Sequence, residues 1–76
     1  MELVDPIELT KDMMDEMFMT REGKVVQMTE WISDITYPGR FSDGNWRSIP
    51  GRYYSWDDPR DIIKHLPQSK YPEYYL

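Results

Sequence analysis

An α+β fold, a single small domain with two capped helices packed on a small antiparallel sheet, is what this chain predicts, on three observations. Two segments open like helices: Asp5-Pro6-Ile7-Glu8 and Asp58-Pro59-Arg60-Asp61 each set an aspartate at the cap, a proline at the first helical position and an acid two residues on. Two others, residues 24–28 and 52–56, carry the β-branched and aromatic side chains that suit a pleated surface. The chain has 76 residues, enough for one core and no second domain.

Taken in order, the first helix is expected over about 6–18. At 100° per residue Ile7, Leu9, Met13, Met14, Met17 and Phe18 share one half of the wheel, and Glu8, Lys11, Asp12, Asp15 and Glu16 the other. On this pattern the methionines are core filling, with a groove or dimer interface as the alternative for so wide an apolar arc. Gly23 then suits a left-handed turn position. A strand is expected at about 24–28. Beyond it the signal divides, because Val25, Met28, Trp31, Ile32 and Ile35 also share a helical face. Three glycines and two prolines break residues 36–51 into an ordered irregular loop or short irregular strands. A strand at about 52–56 follows, then a helix at about 59–66 with Ile62, Ile63 and Leu66 as its apolar stripe and Pro67 as its stop, and an extended tail over 67–76.

One phrase is written twice, as Pro38-Gly39-Arg40-Phe41 and Pro50-Gly51-Arg52-Tyr53. Proline presets the first central position of a type II turn and glycine supplies the positive φ of the second, so both corners are expected to be such turns. An arginine and a ring follow each corner, with Trp46-Arg47 between them. Arg40, Phe41, Trp46, Arg47, Arg52 and Tyr53 are therefore candidate binding residues, of the types enriched at interface hot spots. The competing reading is that Tyr37, Phe41, Tyr53 and Trp56 complete the core of a domain poor in aliphatic residues after Ile35.

Composition removes several function classes. The absence of cysteine excludes a disulfide framework, thiolate catalysis and the usual structural zinc sites. No apolar run approaches the length of a membrane span, and the acidic start lacks the basic region of a signal peptide, so the chain reads as a complete cytoplasmic gene product with no membrane partner. The net charge of −5 is uneven: nine acids oppose three bases before Thr36, whereas six bases oppose five acids after it. Nine of the eleven aromatic residues lie at or beyond Tyr37.

Catalytic and metal chemistry find little support. His65, Asp61 and Asp58 would share a helix face, but Asp58 is more economically a cap and the lone histidine an end residue, so no metal and no cofactor are expected. The serines stand in no nucleophile elbow, and Asp43-Gly44-Asn45 lacks the remaining ligands of a calcium or phosphate loop. The chain is accordingly read as a non-enzymatic protein-binding module. Its candidate surfaces are an acidic helix face, Glu8, Asp12, Asp15 and Glu16, and the arginine and aromatic segment 37–56. In class only, and by composition, it resembles phage-encoded or mobile-element proteins that inhibit a host enzyme. That resemblance implies a stoichiometric inhibitor or regulator whose carboxylates occupy a basic or nucleic-acid-binding surface of a protein partner. Two alternatives stand beside it. One is binding of single-stranded nucleic acid, with arginines on phosphates and rings on bases; the other is a small subunit, or a homodimer, completed by its neighbours.

Overall fold

The chain is a curled sheet of five antiparallel strands. The computed structural model describes residues 6–54 and 56–75. The strands are β1 (Met17–Thr20), β2 (Val25–Trp31), β3 (Gly39–Phe41), β4 (Trp46–Arg47) and β5 (Ile62–Leu66), in the order β4-β3-β2-β1-β5. The first four form a meander; the fifth returns to the outer side of β1, and the sheet curls into a half-barrel. Among the described residues the only helical elements are two single 3-10 turns, Lys11–Met13 and Pro72–Tyr75. The two capped helices expected from the sequence are therefore absent, and the fold is mostly strand rather than α+β. Among the described residues no helix is long and apolar enough to cross a membrane.

Three turns among the described residues repeat one local geometry. In residues 20–24, 41–45 and 48–52 the first N–H donates to the fifth carbonyl at 2.8, 3.0 and 3.0 Å. The fourth residue's N–H returns to the first carbonyl at 2.9, 2.9 and 2.8 Å. That fourth residue is Gly23, Gly44 or Gly51, with φ of 90°, 85° and 79°. A left-handed residue at this position lets the returning strand keep the right-handed twist of its partner, which is why glycine recurs there. The unit repeated in this protein is thus a five-residue turn with glycine fourth.

The expected first helix gives way to β1 for a reason of period. Residues 17–20 alternate half-buried and buried, so Phe18 and Thr20 point inward while Met17 and Met19 lie on the opposite side of the sheet. Phe18 stands opposite Val26 on one side and His65 on the other. An isolated helix of about a dozen residues is marginal in water; pairing on both edges satisfies this backbone instead. Upstream, the chain crosses the end of the sheet in extended form. Ile7 N–H donates to the Ile62 carbonyl at 3.0 Å and Leu9 N–H to the Ile49 carbonyl at 2.6 Å. The expected cap Asp5 lies outside the described residues.

The second helix signal is used for one turn and then overruled. Asp61 N–H donates to the Asp58 carbonyl, and Asp58 N–H donates back to the Asp61 carboxylate, both at 3.0 Å. That is half of a reciprocal helix cap. The next residues, Ile62–Leu66, nevertheless extend along β1, where β-branched side chains fit the pleat. The strand expected at 24–28 falls within β2, which continues to Trp31 with a bulge at Thr29. Residues 36–51 hold the short strands β3 and β4. Among the described residues of 52–56 there is no strand, and Ser55 lies outside them.

Leu9, Phe18, Val26, Met28, Phe41 and Ile62 form the core, with Ile7, Met13 and Trp31 packed against it. The ring of Phe18 meets that of Phe41 edge-on at 5.5 Å and lies nearly parallel to His65 at 5.0 Å. Met28 of β2 is fully enclosed there, whereas Met13, Met14 and Met17, expected to fill a helical core, are not. The tail, expected to be extended, folds back through the second 3-10 turn, with Leu76 outside the described residues. The Tyr75 hydroxyl accepts from Met17 N–H at 2.8 Å and donates to the Leu66 carbonyl at 2.6 Å, so it completes the β1–β5 ladder as a bridging water would.

Candidate functional site

An open groove of about 690 Å³ is lined by Ile32, Ile35, Thr36, Tyr37, Gly44, Asn45, Trp46, Tyr53 and Tyr54. Three segments build it: the loop from β2 to β3, the tip of the β3–β4 hairpin, and the chain that leaves the 48–52 turn. The first is tied at its base by the Ile32 N–H to Pro38 carbonyl bond of 2.9 Å, with Asp34 in a left-handed conformation at φ 68°. Within this loop Ile32 and Ile35 remain 41% and 47% exposed. Leaving such residues open in so small a domain forfeits burial that would otherwise stabilise it, and exposed apolar patches of this kind mark contact surfaces.

The wall formed by the third segment is preorganised. Tyr53 and Tyr54 meet at right angles with centroids 4.6 Å apart, and Tyr54 stacks on the exposed ring of Trp56 at 4.6 Å. Arg60 lies over Tyr53, its guanidinium carbon 3.7 Å from the ring centroid. Beneath this wall sits Asp61, whose side chain is wholly buried. It accepts from Tyr53 N–H at 3.0 Å, from Asp58 N–H at 3.0 Å and from Arg21 Nη2 at 3.2 Å. A buried carboxylate held by three donors fixes the backbone from which both tyrosines project.

Trp46 is half-buried on the outer side of the sheet, opposite Arg40, and lines the groove. Its neighbour Arg47 points the other way and is fully enclosed. Both Arg47 terminal nitrogens bind the Asp43 carboxylate, at 3.1 and 2.8 Å, while Nε donates to the Arg60 carbonyl at 2.7 Å and the group rests 4.9 Å from the Phe41 ring centre. This residue fastens the hairpin tip to the 58–61 turn. Burial opposes ionisation of Asp43, but the Arg47 bonds and the Asn45 N–H outweigh it, and the pKa falls below the ordinary aspartate value.

The other arginines are committed to carboxylates as well. Arg40 reaches Glu30 at 3.9 Å, Arg52 reaches Asp57 at 2.8 Å, Arg60 reaches Asp58 at 2.8 Å, and Arg21 is shared between Asp61 and Asp57. The hydrogen bond from Arg60 holds Asp58 below its usual pKa, and that from Arg52 does the same for Asp57. Every arginine of the chain is thus paired with an acid. Of the six expected binding residues in the arginine and aromatic segment, the groove brings together Trp46 and Tyr53. Phe41 and Arg47 are interior, and Arg40 and Arg52 are partly exposed members of ion pairs.

The expected acidic helix face does not exist as a face, because its helix does not. Glu8, Asp12 and Asp15 are exposed around the first 3-10 turn and make no ion pair among the described residues, with Asp15 at φ 63°. Glu16 is engaged: its carboxylate lies 3.2 Å from His65 Nε2 and 3.4 Å from the Tyr75 hydroxyl. His65 itself stands on β5 against Phe18, away from a helix shared with Asp58 and Asp61. Among the described residues no cluster of three or more potential metal ligands occurs.

Ile32, Ile35 and Tyr54 are groove residues that sequence reasoning missed. The available signal was apolar side chains in a stretch of turn formers, Ser33, Asp34, Thr36 and Pro38, which a loop cannot bury. Spacing with Trp31 instead places Ile32 and Ile35 on one helical face, and Tyr54 lies inside the segment 37–56 without a feature that singles it out. No protein-family model, no curated protein and no solved structure matches this chain.

Proposed function

We propose that this protein acts by binding a protein partner stoichiometrically, as an inhibitor or regulator working in the cytoplasm, and that the groove is its principal contact. The open groove carries this reading, since it combines four rings and two isoleucines on loops held by buried hydrogen bonds. Rigid aromatic residues supply contact area at low entropic cost, and a few such anchors account for most interface energy. The charge of −5 and the exposed carboxylates Glu8, Asp12 and Asp15 favour a partner with a basic surface, including one that otherwise holds nucleic acid. Single-stranded nucleic acid is the weaker ligand. Stacking platforms work beside cations that displace counterions, and here every guanidinium already has a carboxylate.

Affinity capture tests the proposal. Immobilised wild-type protein and the variants Tyr54→Ser and Ile35→Ser are offered the same lysate of the source cells, with thermal melts as the control for folding. The groove variants are expected to keep their melting temperature and to lose a partner that the wild type retains, by about 2 kcal/mol per anchor. Retention of the same proteins at the same salt by all three forms removes the groove from the mechanism.

A further inference from the structure

We infer that the occupant of the groove is an extended, proline-bearing segment of the partner with lysine or arginine beside the prolines; the inference rests on the groove being a protein-binding site. Its first support is the kind of surface the groove offers. Apart from Trp46, every lining residue lies off the strands. The sheet edge at the groove is therefore only the two residues of β4, too short a ladder for strand addition to be the main mode. The surface consists of rings, with polar tips at their margins.

Those tips are the second support. The indole N–H of Trp46 and the hydroxyl of Tyr37 hydrogen-bond to no other described residue, although both residues line the groove. A polyproline II segment has no internal hydrogen bonds and leaves its carbonyls open, so it can accept from such donors while its pyrrolidine rings lie on the aromatic faces. A helix offers no comparable row of free acceptors, because its carbonyls are used internally. Such a segment is also ordered before binding. It loses little freedom on docking, which suits a contact area limited by a domain only 34 × 32 × 18 Å across.

Charge selects the flanking residues. Asp34 does not itself line the groove but sits at its rim between the lining residues Ile32 and Ile35, is exposed, and makes no ion pair among the described residues. Lys11, Lys64 and Lys70 also lack carboxylate partners there, but all three lie outside the segments that build the groove. A ligand that brings its own cation meets Asp34 and the net negative charge; an acidic ligand meets repulsion from both.

Fluorescence anisotropy with labelled peptides tests the inference. A Pro-Pro-Lys repeat peptide is expected to bind saturably in the ~10 to 100 μM range, with Gly-Gly-Lys and Pro-Pro-Glu repeats of equal length about tenfold weaker or worse. Trp46→Phe and Tyr37→Phe, which keep the rings and remove the donors, should each weaken the Pro-Pro-Lys complex about fivefold to tenfold. Asp34→Lys should weaken it and flatten its salt dependence. Equal binding of the Gly-Gly-Lys peptide overturns the inference by reducing it to charge, and tighter binding of oligo-deoxythymidine overturns it in favour of nucleic acid. The reading on which it rests fails separately. If a captured partner depends on Tyr54 and Ile35 but is not displaced by the Pro-Pro-Lys peptide, only the occupant is wrong; if it depends on neither, the groove is not the site.

Discussion

Pro38-Gly39-Arg40-Phe41 and Pro50-Gly51-Arg52-Tyr53 are nearly the same four residues, and the fold uses them in unlike ways. The first copy is strand. Gly39 begins β3 in the ordinary extended region, Arg40 faces outward to Glu30, and Phe41 closes the core. In the second copy Gly51 is left-handed, Arg52 binds Asp57, and Tyr53 walls the groove. Neither copy forms the expected type II corner. Gly39 lacks the positive φ, and Gly51 has it as the fourth residue of the 48–52 turn, closing on Ser48. What separates the copies is their neighbours: β2 and β4 pair with both sides of the first. The second is pressed between the Ile7 backbone and the start of β5, since Ile62 N–H donates to the Gly51 carbonyl at 2.9 Å. A proline-glycine pair permits several conformations, and the chains beside it choose.

The ring at the fourth position should divide the copies most sharply. Phe41→Ala opens the core and is expected to cost ~3 to 5 kcal/mol in chemical denaturation. Tyr53→Ala should cost ~1 kcal/mol of stability while removing ~2 kcal/mol from partner binding measured by calorimetry. Comparable stability losses at both sites would erase the distinction between core copy and groove copy.

The glycines order next. At Gly51 an added Cβ would stand 2.5 Å from the Ile7 carbonyl oxygen in a left-handed backbone, so Gly51→Ala combines strain with a clash and should cost ~2 to 5 kcal/mol. Gly44 has the same conformation and open space around it; its alanine variant should lose only the ~1 to 2 kcal/mol of conformational strain. At Gly39 the nearest atoms are side-chain carbons at 3.4 to 3.7 Å, and alanine there should change stability by less than ~1 kcal/mol. Urea midpoints of the three variants read the series directly. An equal loss at Gly39 and Gly51 would contradict the account of both copies.

Smaller effects come from the arginines and from acid. Arg52 also lies 3.8 Å from Asp61, so Arg52→Ala leaves Asp61 with Arg21 and two backbone donors, for an expected loss of ~1 to 2 kcal/mol. Arg40→Ala breaks one exposed pair worth ~0.5 kcal/mol or less. A double-mutant cycle with Asp57 and with Glu30 separates the two. Asp43 and Asp58 are held below the ordinary value of 3.8 in the fold. The unfolded chain therefore binds protons first as pH falls: their stabilisation is complete above about pH 4 and is lost progressively below it. Melting temperature should be level from neutral pH down to that point and then drop, with a smaller drop in Asp43→Asn.

Much of the local chemistry was legible in the sequence. Gly23 reads as a left-handed turn residue and is one, Asp58 and Asp61 read as a helix cap and its first-turn acid and form half of a reciprocal cap, and residues 25–28 of the expected strand lie in β2. The second helix signal holds for one turn, whereas residues 6–10 at the first are not helical. Helical periodicity over Ile7, Leu9, Met13 and Phe18 coexists with a two-residue alternation at 17–20, and only the second has partners on both edges. Arg47 could not be separated by sequence from an exposed anchor, because burying a guanidinium depends on Asp43 closing a five-residue turn and on the Arg60 carbonyl arriving from thirteen residues away.

By itself the sequence determined the composition-level facts: a short cysteine-free chain, an acidic first half, rings gathered in the second half, and a glycine at the left-handed turn position of Gly23. These depend on residue type and on neighbours a few positions away. Only the tertiary structure decided that the end of the first expected helix is a strand and that the second helix start stops after a single turn, that one Pro-Gly-Arg phrase builds core and the other a groove wall, and that every arginine faces a carboxylate. Those outcomes turn on which segments lie side by side. Pairing of β1 with β5 joins residues more than forty positions apart, and a backbone with partners on both sides overrides the weak preference of a short segment for its own helix.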